Sequence, residues 1–356
     1  MLRRAAPRTP HSSDDEGTPV PLPLPRPRAL RTVVAAVALA LVGSALVATP
    51  APAVVSRGTQ AVALGDSFAS GEGLAPYRAG TDTATNRCHR SLQAHPELLD
   101  EGPRRTVPSL RSAACSGAVT GAVVADLPGD SNPDGAQLAA VGWRTRTVTL
   151  TVGGNDVGFS QVLGACTYTP VPELQGVVPG RPGCSERLDA QVRAATAGLA
   201  GAAPTAPSRL SLAQLLVQVQ RKAPWARVYV TGYPRLFGLT GSDALGCRVG
   251  SIAGAPLYVS GADASWIRSG TDSLNAALRT GVAQARARGV RASYVDVAPS
   301  FDGHEVCGSG TPWINGVVVA PTTPPSIAPA SFHPTARGQQ AYAAALARAI
   351  EDHRGR

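Results

Sequence analysis

Short strand-like runs alternate with stretches of helical periodicity, and few folds accommodate that alternation. Gln60 to Leu64, Ser109 to Ala113, Thr147 to Val152, Arg227 to Thr231 and Ala292 to Val297 are apolar, β-branched or aromatic. Gly or Pro punctuates them, as expected of strands. Leu188 to Leu199, Leu210 to Lys222, Ser273 to Ala287 and Pro334 to Asp352 instead repeat their apolar residues at helical spacing. Pro334 stands where the first turn of a helix tolerates a missing N–H. This order predicts a mostly parallel α/β sheet of about five strands, covered on both faces. Tyr233 to Ser260 and Pro299 to Ser331 remain as long irregular segments, each holding a cysteine. Loops of this length in a compact domain are usually functional or tied down.

The first 53 residues have a different character. Arg26, Arg28 and Arg31 lead into an apolar run from Thr32 to Ala48, followed by the small-residue site Ala51-Pro52-Ala53. This is the order of a secretory signal, with cleavage expected after Ala53. The competing reading is a membrane anchor over 32–48, a run of about 17 residues at the lower limit for spanning a bilayer. Residues 54–356 then form a single domain, large enough for a sizeable core. The whole chain carries +9; residues 1–53 hold six Arg against two Asp and one Glu, leaving +6 on the remainder. The excess is nearly all Arg, scattered along the sequence, with no basic run interleaved with aromatics. It reads as a solvated surface suited to anionic interfaces, with no nucleic-acid site.

Four motifs carry the chemistry: Gly65-Asp66-Ser67-Phe68, Ala114-Cys115-Ser116-Gly117, Gly153-Gly154-Asn155-Asp156 and Phe332-His333-Pro334. Three follow expected strands, at the carboxyl ends where open α/β sheets place their sites. Ser67 offers a nucleophilic hydroxyl and an N–H, Gly117 a second N–H, and Asn155 an amide, all suited to a developing oxyanion. His333 can take the serine proton and return it to a leaving group. Singly, each suits a plain turn or helix cap; their order and setting point to acyl transfer. His304, in Phe301-Asp302-Gly303-His304, is the competing histidine and is assigned a structural role beside Cys307. No Cys-x-x-Cys or His-x-x-x-His spacing suggests a metal site. The six cysteines, 88, 115, 166, 184, 247 and 307, form an even set that suggests disulfides in an exported chain, with fifteen possible pairings.

With these motifs in place, the chain resembles the SGNH hydrolases, also called GDSL lipases/esterases, over roughly Gln60 to Asp352. Arg87-Cys88-His89-Arg90-Ser91, Ala114-Cys115-Ser116-Gly117-Ala118 and Ser331-Phe332-His333-Pro334-Thr335 are similar to the secreted, three-disulfide branch. The resemblance implies a flavodoxin-like three-layer α/β/α sandwich with neither metal nor organic cofactor. It also implies a catalytic pair Ser67 and His333, an oxyanion hole from Ser67, Gly117 and Asn155, and bridges Cys88–Cys115, Cys166–Cys184 and Cys247–Cys307. Two positions depart from the family pattern. Phe68 stands where the family name has Leu, and Ala330 where many members have an Asp that orients the histidine. The backbone carbonyl of Ala330 is the expected substitute, with Asp296 and Asp302 as other candidates. The expected function is a secreted, monomeric serine esterase or lipase that meets lipid interfaces transiently; the apolar loop around Trp313 is a candidate acyl pocket or, equally, a segment packed on the core. A carbohydrate O-acetyl esterase and a phospholipase are the alternatives on the same site; a binding protein on the same scaffold is the non-enzymatic one.

Overall fold

The computed structural model describes residues 60–101, 106–107, 109–128, 132–238 and 240–355. The expected signal and cleavage point, and the alternative anchor over 32–48, lie outside these residues. Among the described residues, no helix is long and apolar enough to cross a membrane.

All five expected strands form, within a few residues of their expected ends. They are β1 (Ala61–Gly65), β2 (Leu110–Ser112), β3 (Thr147–Thr151), β4 (Arg227–Thr231) and β7 (Ala292–Val295). They pair in parallel in the order β2-β1-β3-β4-β7. This is the flavodoxin-like order, in which the chain reverses direction between β1 and β3 and leaves a crevice at their carboxyl ends. Val62, Leu64, Val148, Leu150, Val228 and Val230 are fully buried, as strands covered on both faces require. One layer holds α2 (His95–Glu101) and α8 (Ala336–Arg354); the other holds α3 (Thr120–Val124), α5 (Cys184–Leu199), α6 (Leu212–Lys222) and α7 (Gly261–Ala287). Ser211 caps α6 through a reciprocal box with Gln214, which satisfies N–H groups that have no partner inside the helix.

Two stretches differ from expectation. Tyr233 to Ser260 contains a hairpin, β5 (Cys247–Ile252) with β6 (Ala255–Val259). Its turn residues Ala253 and Gly254 have φ of 47° and 81°, the left-handed pair of a two-residue hairpin turn. Alanine at the first of these positions hides the signal that Asn or Gly would have given. Helix α7 begins twelve residues before Ser273, because Ser260 caps it through the Asp263 N–H.

The three bridges pair as the resemblance implied: Cys88 with Cys115, Cys166 with Cys184, and Cys247 with Cys307. Cys88–Cys115 joins the segment after the nucleophile turn to the loop bearing Gly117. Cys166–Cys184 links the end of α4 (Phe159–Cys166) to the start of α5. Cys247–Cys307 fastens the hairpin to the long segment that leads to His333.

Candidate active site

Strand β1 ends at Gly65, whose φ is 136°; a Cβ there would stand 2.1 Å from the Thr151 carbonyl oxygen. Only glycine lets the ends of β1 and β3 approach so closely. The side chain of Gln137 holds this residue from both sides, accepting from its N–H at 2.7 Å and donating to its carbonyl at 2.8 Å. Asp66 follows, donates its N–H to Thr151 O at 2.9 Å, and caps the short helix α1 (Ser67–Ser70) through the Phe68 N–H at 3.0 Å. Ser67 is therefore set at the first position of that turn, directly above the switch point.

The structure brings His333 to Ser67. The Nε2 atom of His333 lies 2.7 Å from Ser67 Oγ. Burial holds the imidazole below its ordinary value of 6.5, while the charge of Glu72 and the backbone contacts act in the opposite sense. A neutral ring is the form that accepts a proton.

The carbonyl facing Nδ1 is that of Ser331, at 3.1 Å, with the Pro329 carbonyl also bonding the ring, and not that of Ala330 as expected. The reason is local. Phe332 adopts φ of 61°, a left-handed conformation costly for a bulky side chain and typical of residues that aim a functional group. That turn leaves the Ala330 carbonyl accepting from the His333 N–H at 3.2 Å and from Asn315 Nδ2 at 3.2 Å. The next carbonyl is the one presented to the ring. Asp296 and Asp302 stand elsewhere, paired with Arg279 at 2.6 Å and Arg235 at 3.4 Å.

Gly117 and Asn155 meet through their neighbours. Asn155 donates its amide to Ala118 O at 3.0 Å, and the next residue, Asp156, accepts from the Thr120 hydroxyl at 2.6 Å and the Thr120 N–H at 3.1 Å. Asp156 is buried, which pushes its carboxyl up to about 6. Gly117 lies exposed, two residues past Cys115, with φ of 84°.

Two residues that the motifs did not single out tie the site together. The hydroxyl of Tyr233, just beyond β4, donates to Asp66 Oδ2 at 2.5 Å and accepts from the Gly154 N–H at 3.0 Å. It thus links the residue before Ser67 to the residue before Asn155. Burial pushes Asp66 up to about 7 and Tyr233 well above its usual range. Glu72 is buried beside the nucleophile turn; its N–H bonds to Ser67 O at 3.0 Å and its carboxylate to His89 Nδ1 at 2.6 Å. The available signals were a tyrosine immediately after a strand end, and an acid set between Gly71 and Gly73 directly after the nucleophile turn.

His304 stacks on Trp313 at 3.8 Å and bonds through Nδ1 to Thr311 O at 2.8 Å, a structural position as expected. Trp313 also packs on Phe301, so it belongs to the core edge and not to an acyl pocket. The apolar cavity lies elsewhere, between α4, α5 and α7. It is a partly open cleft with a volume of about 40 Å³, lined by Phe68, Phe159, Val192, Tyr233, Trp266 and Leu274, among others. The Phe68 ring lies 5.3 Å from the His333 ring, so one side chain adjoins both the cavity and the reacting pair.

A doubly wound sheet with a serine and an imidazole in hydrogen-bond contact at its topological switch point defines a serine hydrolase. Residues 63–341 match the GDSL-like Lipase/Acylhydrolase family, and the chain belongs to it; it is a carboxylic ester hydrolase. A lipase of Streptomyces rimosus is 33% identical over 302 residues, covering 85% of this chain and 89% of that protein. The crystal structure of the extracellular lipase from Streptomyces rimosus superposes with a TM-score of 0.57 at 31% identity, covering 82% of this chain and 99% of that one. Phospholipase A1 from Streptomyces albidoflavus superposes with a TM-score of 0.56 at 32% identity, covering 80% and 97%.

Proposed function

We propose that the chain is an exported serine esterase acting on esters of apolar acyl chains, through an acyl-enzyme on Ser67. The observation that carries this reading is the 2.7 Å contact between Ser67 Oγ and His333 Nε2. As Ser67 attacks the carbonyl carbon, Nε2 takes its proton, and the Ser331 carbonyl holds Nδ1–H so that the imidazolium keeps its orientation. The N–H groups of Ser67 and Gly117 and the amide of Asn155 receive the oxyanion. His333 then protonates the leaving alcohol and activates the water that frees the acid. No step needs a metal or an organic cofactor.

The apolar lining of the cleft beside Phe68 favours a hydrocarbon acyl chain over the acetyl group of a decorated carbohydrate. The similarity to a phospholipase A1 favours glycerophospholipid as a second substrate class. Three disulfides suit an oxidising compartment, in keeping with a cleaved signal over residues 1–53; the chain is proposed to act as a monomer. The test is a series of nitrophenyl esters of rising acyl length, with phosphatidylcholine and acetylated xylan alongside, assayed on the purified protein and on Ser67→Ala. Rates should rise beyond acetyl, and Ser67→Ala should be silent on every substrate. A preference for acetylated xylan, or turnover by a folded Ser67→Ala variant, would overturn the reading.

A further inference from the structure

The pole of the sheet opposite the site gathers what is scattered in the sequence. Arg146, Arg227 and Arg291 stand at the starts of three neighbouring strands, joined rung to rung: Arg227 N–H bonds to Arg146 O at 2.9 Å and Val228 N–H to Arg291 O at 2.8 Å. Adjacent parallel strands lie about 4.8 Å apart, so the three guanidinium groups spring from one short row. Arg221 and Lys222 join them from the end of α6, Arg286 and Arg288 from around the end of α7, and Arg144 from the turn before β3. None of these eight side chains forms an ion pair among the described residues, although nine such pairs occur elsewhere.

Eight cations without an ion pair thus gather at one pole of a stretch that carries +6 in all. Cations at helix C-termini complement the helix dipole, which accounts for the groups on α6 and α7. It does not account for the strand-start arginines or for the two tryptophans among them. Trp143 and Trp225 are 63% and 58% exposed, the two most exposed large apolar side chains described. Each lies under a guanidinium, Arg144 at 4.9 Å and Arg291 at 6.0 Å from the ring centroids. The acids at this pole are fewer: Asp100 and Glu101 at the end of α2, Asp126 after α3, and Glu351 and Asp352 in the final turn of α8, the last two balanced by Arg348 and Arg354.

We infer that this pole is a docking surface for an anionic polysaccharide, its tryptophans stacking on sugar rings and its arginines pairing with acidic substituents. Charge complementarity selects a polyanion, and the flat exposed indoles suit sugar faces. Placement selects against the bilayer itself: Ser67 opens at the opposite ends of the strands, so a membrane held here could not reach the site. The enzyme would sit tethered with its active site facing outward.

Heparin serves as the probe, titrated into the purified protein at two salt concentrations. Arg144→Ser/Arg146→Ser/Arg291→Ser should weaken binding on the order of 100-fold, given the contribution of each cation near an anionic surface, with ester turnover unchanged. The control Arg87→Ser/Arg181→Ser/Arg187→Ser removes the same charge from exposed positions away from this pole, none of them ion-paired among the described residues, and should shift binding only a fewfold. Trp143→Ser/Trp225→Ser should weaken binding while leaving its salt dependence unchanged, and provides a second reading if the triple variant folds poorly. Equal losses in the two arginine triples would reduce the effect to net charge and overturn the inference. So would tighter binding to phosphatidylglycerol vesicles or to a DNA duplex than to heparin, or tryptophan variants that bind as the wild type does.

Discussion

Ser67 and His333 meet across 2.7 Å, but they are held in different ways. The serine is fixed by local and buried structure: a glycine without room for a side chain, a capping aspartate, and Gln137 and Tyr233 reaching in from other segments. The histidine ends a long irregular segment, and its Nδ1 rests on a backbone carbonyl beside a left-handed phenylalanine. A Cys247–Cys307 bridge and the bond from Asn315 N–H to His333 O at 2.9 Å restrain that segment. The difference teaches where catalytic strength has to come from. A neutral carbonyl can fix the imidazole tautomer, but it stabilises the imidazolium less than a carboxylate does. On the proposed mechanism, more of the transition-state stabilisation would fall to the oxyanion donors and to the rigidity of the nucleophile side.

The largest effect expected from breaking this comparison is at its junction. His333→Ala should lower kcat by roughly 10⁶, as removal of the base does in comparable serine enzymes, while thermal unfolding stays near that of the parent protein. A residual rate within tenfold of the parent would show that another group accepts the serine proton. Next comes the oxyanion hole. Asn155→Ala should lower kcat by about 10²–10³ with KM little changed; a change confined to KM would move Asn155 into substrate binding.

Tyr233→Phe sharpens the comparison on the nucleophile side. It keeps the aromatic face on the cavity and removes the hydroxyl shared by Asp66 and Gly154. The expected loss in kcat is on the order of tenfold, below the 10²-fold that a 1 Å misplacement can cost. Chemical denaturation should show a destabilisation of about 1–3 kcal/mol from buried groups left unpaired. Full activity in this variant would mean that the turn holds its geometry without the tyrosine.

The smallest effects belong to the acids that do not reach the histidine. Asp296→Asn and Asp302→Asn should keep most activity, whereas loss of a true triad acid costs roughly 10⁴ in kcat. Their acid limbs of kcat/KM should also stay with that of the parent. The His333 pKa is depressed by burial, so the base stays neutral down to pH values below 6.5, and activity falls only as pH drops through that lower value. A limb displaced in either variant would make that aspartate a partner of His333.

This asymmetry also explains what was legible before the fold was known. The β1 run, its Gly-Asp-Ser turn and the Gly-Gly-Asn after β3 are contiguous in sequence, and each reports its own geometry. So the sheet and its strand ends could be read directly, as could the pair Ser67 and His333 that the fold brings together. The Ser331 carbonyl could not, because every residue has a carbonyl and only the unusual φ of Phe332 decides which one turns to the ring. Tyr233 and Glu72 act through tertiary contacts spanning 167 and 17 residues; their local settings marked them as candidates but not whom they contact. The loop around Trp313 left two readings open, an acyl pocket or packing on the core, because an apolar loop announces burial but not what it buries against; the ring packs on Phe301 and His304.

The most direct test of the Ser67–His333 account is covalent. A nitrophenyl alkylphosphonate should transfer its phosphorus to the activated serine oxygen and release nitrophenolate, leaving one adduct per chain. Peptide mass mapping of the labelled protein should place that adduct on Ser67, and His333→Ala should label far more slowly. An adduct on another serine, or labelling that proceeds at the parent rate without His333, would contradict the account.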